Sequence, residues 1–248
     1  MKMTEMNQSY YGNHPLLKNR LDRKYLYFSA ICALISVFTT VIIHFISFPS
    51  GSFDETVLLY KNNTYLLFKW TILVHCLMVL FSMSGVSIVV FQYSKTLAML
   101  SFLFFSLFVF AEWERTLNDL WYINGLRKNY STATDENLKT WLRYEMQYNN
   151  FQSNVKFLLF TIGFTLGNAV NGFLLVMKKS WDRYLGIGLL LWAFFTSCSF
   201  IYDFMPVVWM EPVINFSNHY YQPFIRIAIA VWLFDKTVQY KSKCESAH

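Results

Sequence analysis

Charged residues are scarce in this sequence, and their scarcity excludes most classes of soluble protein. Only 15% of the 248 residues are charged, whereas 55% are hydrophobic and 20% aromatic. A soluble globular domain has roughly a quarter of its residues charged. The composition therefore predicts an integral membrane protein.

The motifs that mark the common catalytic and cofactor-binding sites are also missing. The chain contains no GxSxG, HExxH, GxxxxGK or GxGxxG pattern, and its four cysteines form no CxxC pair. His44 and His75 stand alone on their apolar segments, without the HxxxH or HxxE spacing of a metal site. We therefore expect no metal and no cofactor, and the sequence leaves open whether the protein is an enzyme.

Long apolar runs recur along the chain at about the 20 residues that a helix needs to cross a bilayer. We predict an all-α integral membrane protein, a bundle of about six transmembrane helices, within residues 25–237. The predicted spans are 27–48, 70–91, 97–120, 155–177, 184–204 and 220–236.

A long polar connection separates the third and fourth spans. Thr134 followed by Asp135 and Glu136 is typical of a helix start, with acids in its first turn. Apolar residues then recur on one side of the segment. This pattern predicts an amphipathic helix at about 135–152, lying at the membrane surface or capping the bundle.

The basic residues indicate the orientation of the predicted bundle. The net charge is +6, but most Lys and Arg residues flank the apolar runs, so we expect no nucleic-acid partner. If residues 1–24 and 238–248 are cytoplasmic tails, that side holds 12 of the 21 basic residues. The positive-inside rule then places both termini in the cytoplasm.

A few ionisable residues fall at membrane depth, where an unpaired charge costs several kcal/mol. Glu112, Arg115 and Asp119 are three, four and seven residues apart, so they share one helical face. Arg226 on the last span needs a carboxylate partner, and we expect Glu112 to provide it. The candidate ligand-binding residues are Glu112, Arg115, Asp119, Asp203 and Arg226.

Two interpretations of these charges remain open. They could be interfacial charges that only hold helices together, or they could line an outward-facing polar cavity. The second interpretation predicts binding or transport of a small solute, ion or lipid. Alternatives are a membrane-embedded lipid-modifying enzyme with Glu112 and Asp119 as acid and base, or a non-enzymatic effector that forms homo-oligomers. Expected partners are membrane lipids and a small-molecule or lipid ligand.

Small and polar residues interrupt the fourth span. Gly163 and Gly167 are four residues apart, a spacing typical of close helix packing in membranes. Asn168 and Asn171 follow them, and we predict interhelical hydrogen bonds from both, with a place in a permeation path as the alternative.

Overall fold

The computed structural model describes residues 20–46, 52–205 and 207–245, with side chains for 23–46, 52–205 and 207–239. Within those ranges the chain is helical and contains no strand. The helices are α1 Arg20–Phe45, α2 Phe53–Leu58, α3 Asn63–Phe91, α4 Lys95–Asn118, α5 Asn124–Thr132, α6 Glu136–Val176, α7 Trp181–Phe204, α8 Met210–Phe216 and α9 Gln222–Glu245. Five stretches are long and apolar enough to cross a membrane: 23–45, 63–91, 95–132, 136–176 and 181–204.

Six long helices form the bundle, in the spatial order α7, α6, α4, α3, α1 and α9. The α9 helix returns to α7 and closes the ring, and this last contact is the least extensive between neighbours. Apolar side chains from all six helices fill the centre. Fully buried examples are Ala30, Val79, Phe105, Leu175, Leu189 and Trp232.

One helix replaces two predicted elements. The α6 helix runs unbroken for 41 residues, about 62 Å at 1.5 Å per residue, so the amphipathic helix expected at 135–152 and the span expected at 155–177 are continuous. No glycine or proline occurs between Glu136 and Gly163 to end the helix. Asp135 caps its first turn by accepting a bond from the backbone of Asn137.

The first part of α6 lies beyond the main bundle. Its buried residues Leu142 and Met146 pack with Ile123, Leu126 and Val57 in a small separate core. A π-helical turn, Asp119–Ile123, joins α4 to α5 and carries the chain into this extension. The predicted polar connection is therefore a pair of helices stacked on the end of the bundle.

The last helix is longer than the predicted span 220–236. A π-helical turn, Ser217–Tyr221, joins α8 directly to α9, so the helical path continues from Met210 to Glu245. Pro223 explains the turn, because a proline within a helix clashes with the carbonyl of the residue four positions earlier, here His219.

Parts of both predicted tails are helical. The α1 helix already begins at Arg20, and α9 extends to Glu245. The remaining tail residues, 1–19 and 246–248, lie outside the described ranges, as does the end of the first predicted span at 47–48.

Glycines set the distance between α4 and α6. A Cβ atom on Gly163 would lie 2.6 Å from the Phe104 carbonyl oxygen and 2.8 Å from the Phe108 backbone nitrogen. One turn later, Gly167 faces the Phe105 ring, and its carbonyl accepts a bond from Ser101 Oγ at 3.0 Å. Backbone therefore contacts backbone where these two helices cross.

Asn168 and Asn171 of α6 are fully buried, but neither makes the expected interhelical hydrogen bond among the described residues. Asn168 Nδ2 donates within its own helix to the Phe164 carbonyl at 3.0 Å. Asn168 Oδ1 and both polar atoms of the Asn171 side chain have no hydrogen-bond partner among the described residues. The close approach at the neighbouring glycines brings backbone, not polar side chains, to this face.

A buried carboxylate holds α9 against α7 at the end of the bundle where α7 begins. Asp182 accepts bonds from Trp232 Nε1 at 2.8 Å and Tyr93 Oη at 3.2 Å, and it pairs with Lys236 at 2.7 Å. These partners come from α9 and from the turn between α3 and α4. The contact fixes the helix that carries Arg226.

Candidate functional site

A cavity of about 270 Å³ lies inside the bundle, toward the end where α1, α4 and α7 finish and α3 and α9 begin. Five of the twenty residues that line it are phenylalanines, contributed by α3, α4 and α6. The charged and imidazole groups that line it are His44, His75, Glu112, Arg115 and Arg226. The space therefore combines an aromatic wall with a few polar groups, as ligand sites commonly do.

Arg226 is a deeply buried charge of the cavity. Only 4% of the residue is exposed, and its guanidinium lies 4.7 Å from the centre of the Trp192 ring. Trp192 is the twelfth of the 24 residues of α7, so Arg226 lies halfway along the bundle.

No carboxylate contacts Arg226 among the described side chains. Its Nη1 donates to Ser36 Oγ at 3.4 Å and its Nη2 to His75 Nε2 at 3.2 Å, while its Nε has no partner there. The Trp192 ring supplies a cation–π contact. These neutral partners solvate the guanidinium partly and leave its charge unbalanced.

The hydrogen bonds around His75 assign its tautomer. A guanidinium can only donate, so His75 Nε2 accepts from Arg226 and carries no proton. The proton is then on Nδ1, which donates to Thr39 Oγ1 at 2.7 Å. Thr39 in turn donates to the Ser36 carbonyl at 3.1 Å. With this network, His75 is neutral.

Glu112 and Arg115 form a second charged element of the cavity. Their side chains make a bidentate ion pair, with Arg115 Nη2 2.6 Å from Glu112 Oε1 and Arg115 Nε 2.9 Å from Glu112 Oε2. Arg115 also lies 5.7 Å from the centre of the Phe157 ring. Because this pair is neutral overall, the described side chains give the cavity one unbalanced positive charge, that of Arg226.

The expected pairing of Glu112 with Arg226 is wrong. Both residues line the cavity, but the carboxylate of Glu112 is held by Arg115, three residues along the same helix. Glu112 reaches Arg115, one helical turn away, with little rearrangement, whereas Arg226 lies across the cavity.

The two other predicted site residues are not among those that line the cavity. Asp119, at the start of the π turn, pairs with Lys69 at 2.5 Å. Asp203 is exposed near the end of α7. Of the five candidates, the structure brings together Glu112, Arg115 and Arg226.

Several residues of the site were not singled out by the sequence. The sequence marked His75 only as a histidine without the spacing of a metal site, and Trp192, Thr39 and Ser36 had no visible signal. His75 could have been found by its position in the middle of α3, which places it at the depth of Arg226 when neighbouring helices alternate in direction.

Comparison of the chain with protein-family models, curated proteins and solved structures finds no match. Function must therefore be argued from the cavity itself.

Proposed function

We propose that the protein is a six-span membrane protein that binds a small organic anion in this cavity and carries it across the bilayer. Both termini and the Asp182 end of the bundle face the cytoplasm, and the cavity lies toward the opposite side. The concentration of basic residues in the tails and in the turn 178–183 supports this orientation. The last helix serves as the sixth span.

The observation that carries the proposal is the unbalanced charge of Arg226. A guanidinium at the centre of a bilayer costs at least about 3 kcal/mol. Arg226 is buried, lines a cavity and has no carboxylate partner in the described ranges. An anionic ligand would supply the missing charge, and the free Nε leaves a donor to hold it.

The walls and size of the cavity suggest the class of anion. At about 30 Å³ per water molecule, 270 Å³ corresponds to roughly nine waters. The phenylalanines at positions 68, 108, 157, 160 and 164 line this space. A carboxylate with a compact apolar or aromatic body, of the size of benzoate, would pair with Arg226 and pack against these phenylalanines.

The arrangement gives less support to a lipid-modifying enzyme with Glu112 and Asp119 as acid and base. Each carboxylate is occupied by a different cation, Arg115 or Lys69. In addition, Asp119 does not belong to the cavity lining. The two groups therefore do not share one space in which a substrate could contact both.

The test is benzoate binding to the purified protein in lipid nanodiscs, measured by calorimetry, followed by uptake of labelled benzoate into proteoliposomes. Arg226→Gln should weaken binding about 30-fold, since a hydrogen bond to a charged group contributes about 2 kcal/mol. Arg183→Gln removes one exposed positive charge near the other end of the bundle, so it should bind like the wild type. Benzamide, which is neutral, should bind poorly.

Equal binding of benzoate and benzamide, or full affinity in Arg226→Gln, would contradict the proposal. Binding without uptake would restrict the function to ligand binding.

A further inference from the structure

We infer that His75 takes up a proton when the anion binds, so that the site binds an organic anion and a proton together. This inference rests on the proposed function, because the anion is the ligand assigned to Arg226. It adds a second, chemically distinct ligand and names the residue that holds it.

The hydrogen bond between Arg226 and His75 determines the protonation state of His75 when no anion is bound. His75 Nε2 lies 3.2 Å from Arg226 Nη2 and accepts from it, which only an unprotonated nitrogen can do. A proton on Nε2 would break this bond and place a second positive charge beside a buried guanidinium. Without a ligand, the geometry therefore holds His75 neutral.

The other charged and titratable groups around the cavity do not change this conclusion. His44 faces it from α1, and Glu112 and Arg115 face it from α4 as an internally neutral pair. Cys76 adjoins His75 on α3. The linings contributed by α6 and α7 consist of phenylalanine, threonine and serine, so among the described residues the unbalanced charge near His75 is that of Arg226.

An anion bound to Arg226 removes the obstacle to protonation. It cancels the guanidinium charge and turns Arg226 Nη2 away from the imidazole, which frees His75 Nε2 to take a proton. The protonated nitrogen then donates to the anion. A carboxylate has two oxygens, so it can accept from Arg226 and His75 at once, while His75 Nδ1 keeps its bond to Thr39.

His219 is the matched control for this role. It is not among the residues that line the cavity, and its Nδ1 lies 2.9 Å from the Asn215 carbonyl oxygen. The described contacts of Arg226 are to His75, Ser36 and the Trp192 ring, not to His219. A histidine that does not share a hydrogen bond with Arg226 should not be linked to anion binding in this way.

The experiment counts protons directly. Benzoate is titrated into the wild-type protein in nanodiscs at pH 7 in Tris and in HEPES, and the difference in heat between these buffers gives the number of protons taken up. We expect close to one proton per benzoate for the wild type and for His219→Gln, and close to none for His75→Gln.

A second measurement needs no variant. Wild-type affinity for benzoate should rise as the pH falls, by up to tenfold per pH unit, because one proton is bound with the anion. Arg226-dependent benzoate binding with no proton uptake and no pH dependence overturns the inference and leaves the proposed function standing. Absence of any benzoate binding overturns both.

Discussion

Replacing Gly163 by alanine tests whether close packing of α4 and α6 stabilises the fold. The added Cβ would lie 2.6 Å from the Phe104 carbonyl oxygen and 2.8 Å from the Phe108 nitrogen. Ordinary contact distances are about 3.5 Å, so the helices must separate by about 1 Å. Because both neighbours are backbone atoms, no side chain can rotate to make room.

The expected loss follows from that separation. A gap of about 0.5 to 1 Å removes a quarter to a half of the van der Waals attraction between packed atoms, and overpacking of a well-packed core costs about 1 to 3 kcal/mol. We therefore expect Gly163→Ala to lower the free energy of unfolding by about 2 kcal/mol, or about 30-fold in the unfolding equilibrium.

Gly125→Ala provides the control on the same chain. Gly125 is helical, and a Cβ there meets nothing within 4 Å, so alanine should leave stability unchanged or raise it by up to about 1 kcal/mol. The assay is unfolding in mixed detergent micelles, followed by tryptophan fluorescence. If Gly163→Ala is as stable as Gly125→Ala, close packing of α4 and α6 does not stabilise the fold.

Two further predictions concern single side chains. Glu112→Gln should destabilise the protein by about 2 kcal/mol, because Arg115, whose side chain is a quarter exposed, loses its ion-pair partner. Glu114→Gln should cost under about 1 kcal/mol, because the Glu114 side chain beside Lys156 is 48% exposed. Equal melting temperatures for the two variants would contradict this prediction. Ser180 has φ 58° in the turn before α7, a backbone conformation that favours glycine. Ser180→Gly should therefore stabilise the protein by about 1 kcal/mol. A lower melting temperature of this variant would show that the Ser180 side chain compensates for the strain.

The helical architecture could be predicted from the sequence because it depends on local composition. Long runs without charge must be helical in a membrane, where every backbone group needs a partner within the chain. Where the structure describes them, five of the predicted runs overlap helices that are long and apolar enough to span, with ends that differ by a few residues. The starts and ends of helices were less predictable. The sequence pattern changes from amphipathic to apolar near Val155, but α6 continues through the change because nothing there breaks a helix.

The site shows the same division between local and long-range information. The spacing of Glu112, Arg115 and Asp119 predicted that they share one face of a helix, and their nearness in sequence allowed Glu112 and Arg115 to pair. The contacts of Arg226 depend on how α1, α3, α7 and α9 cross, and no spacing in the sequence encodes that crossing. Tertiary packing placed His75 and Trp192 beside Arg226 and left its charge without a carboxylate among the described side chains. Local hydrophobicity thus determined which segments are helices, whereas the convergence of distant helices determined where a ligand could bind.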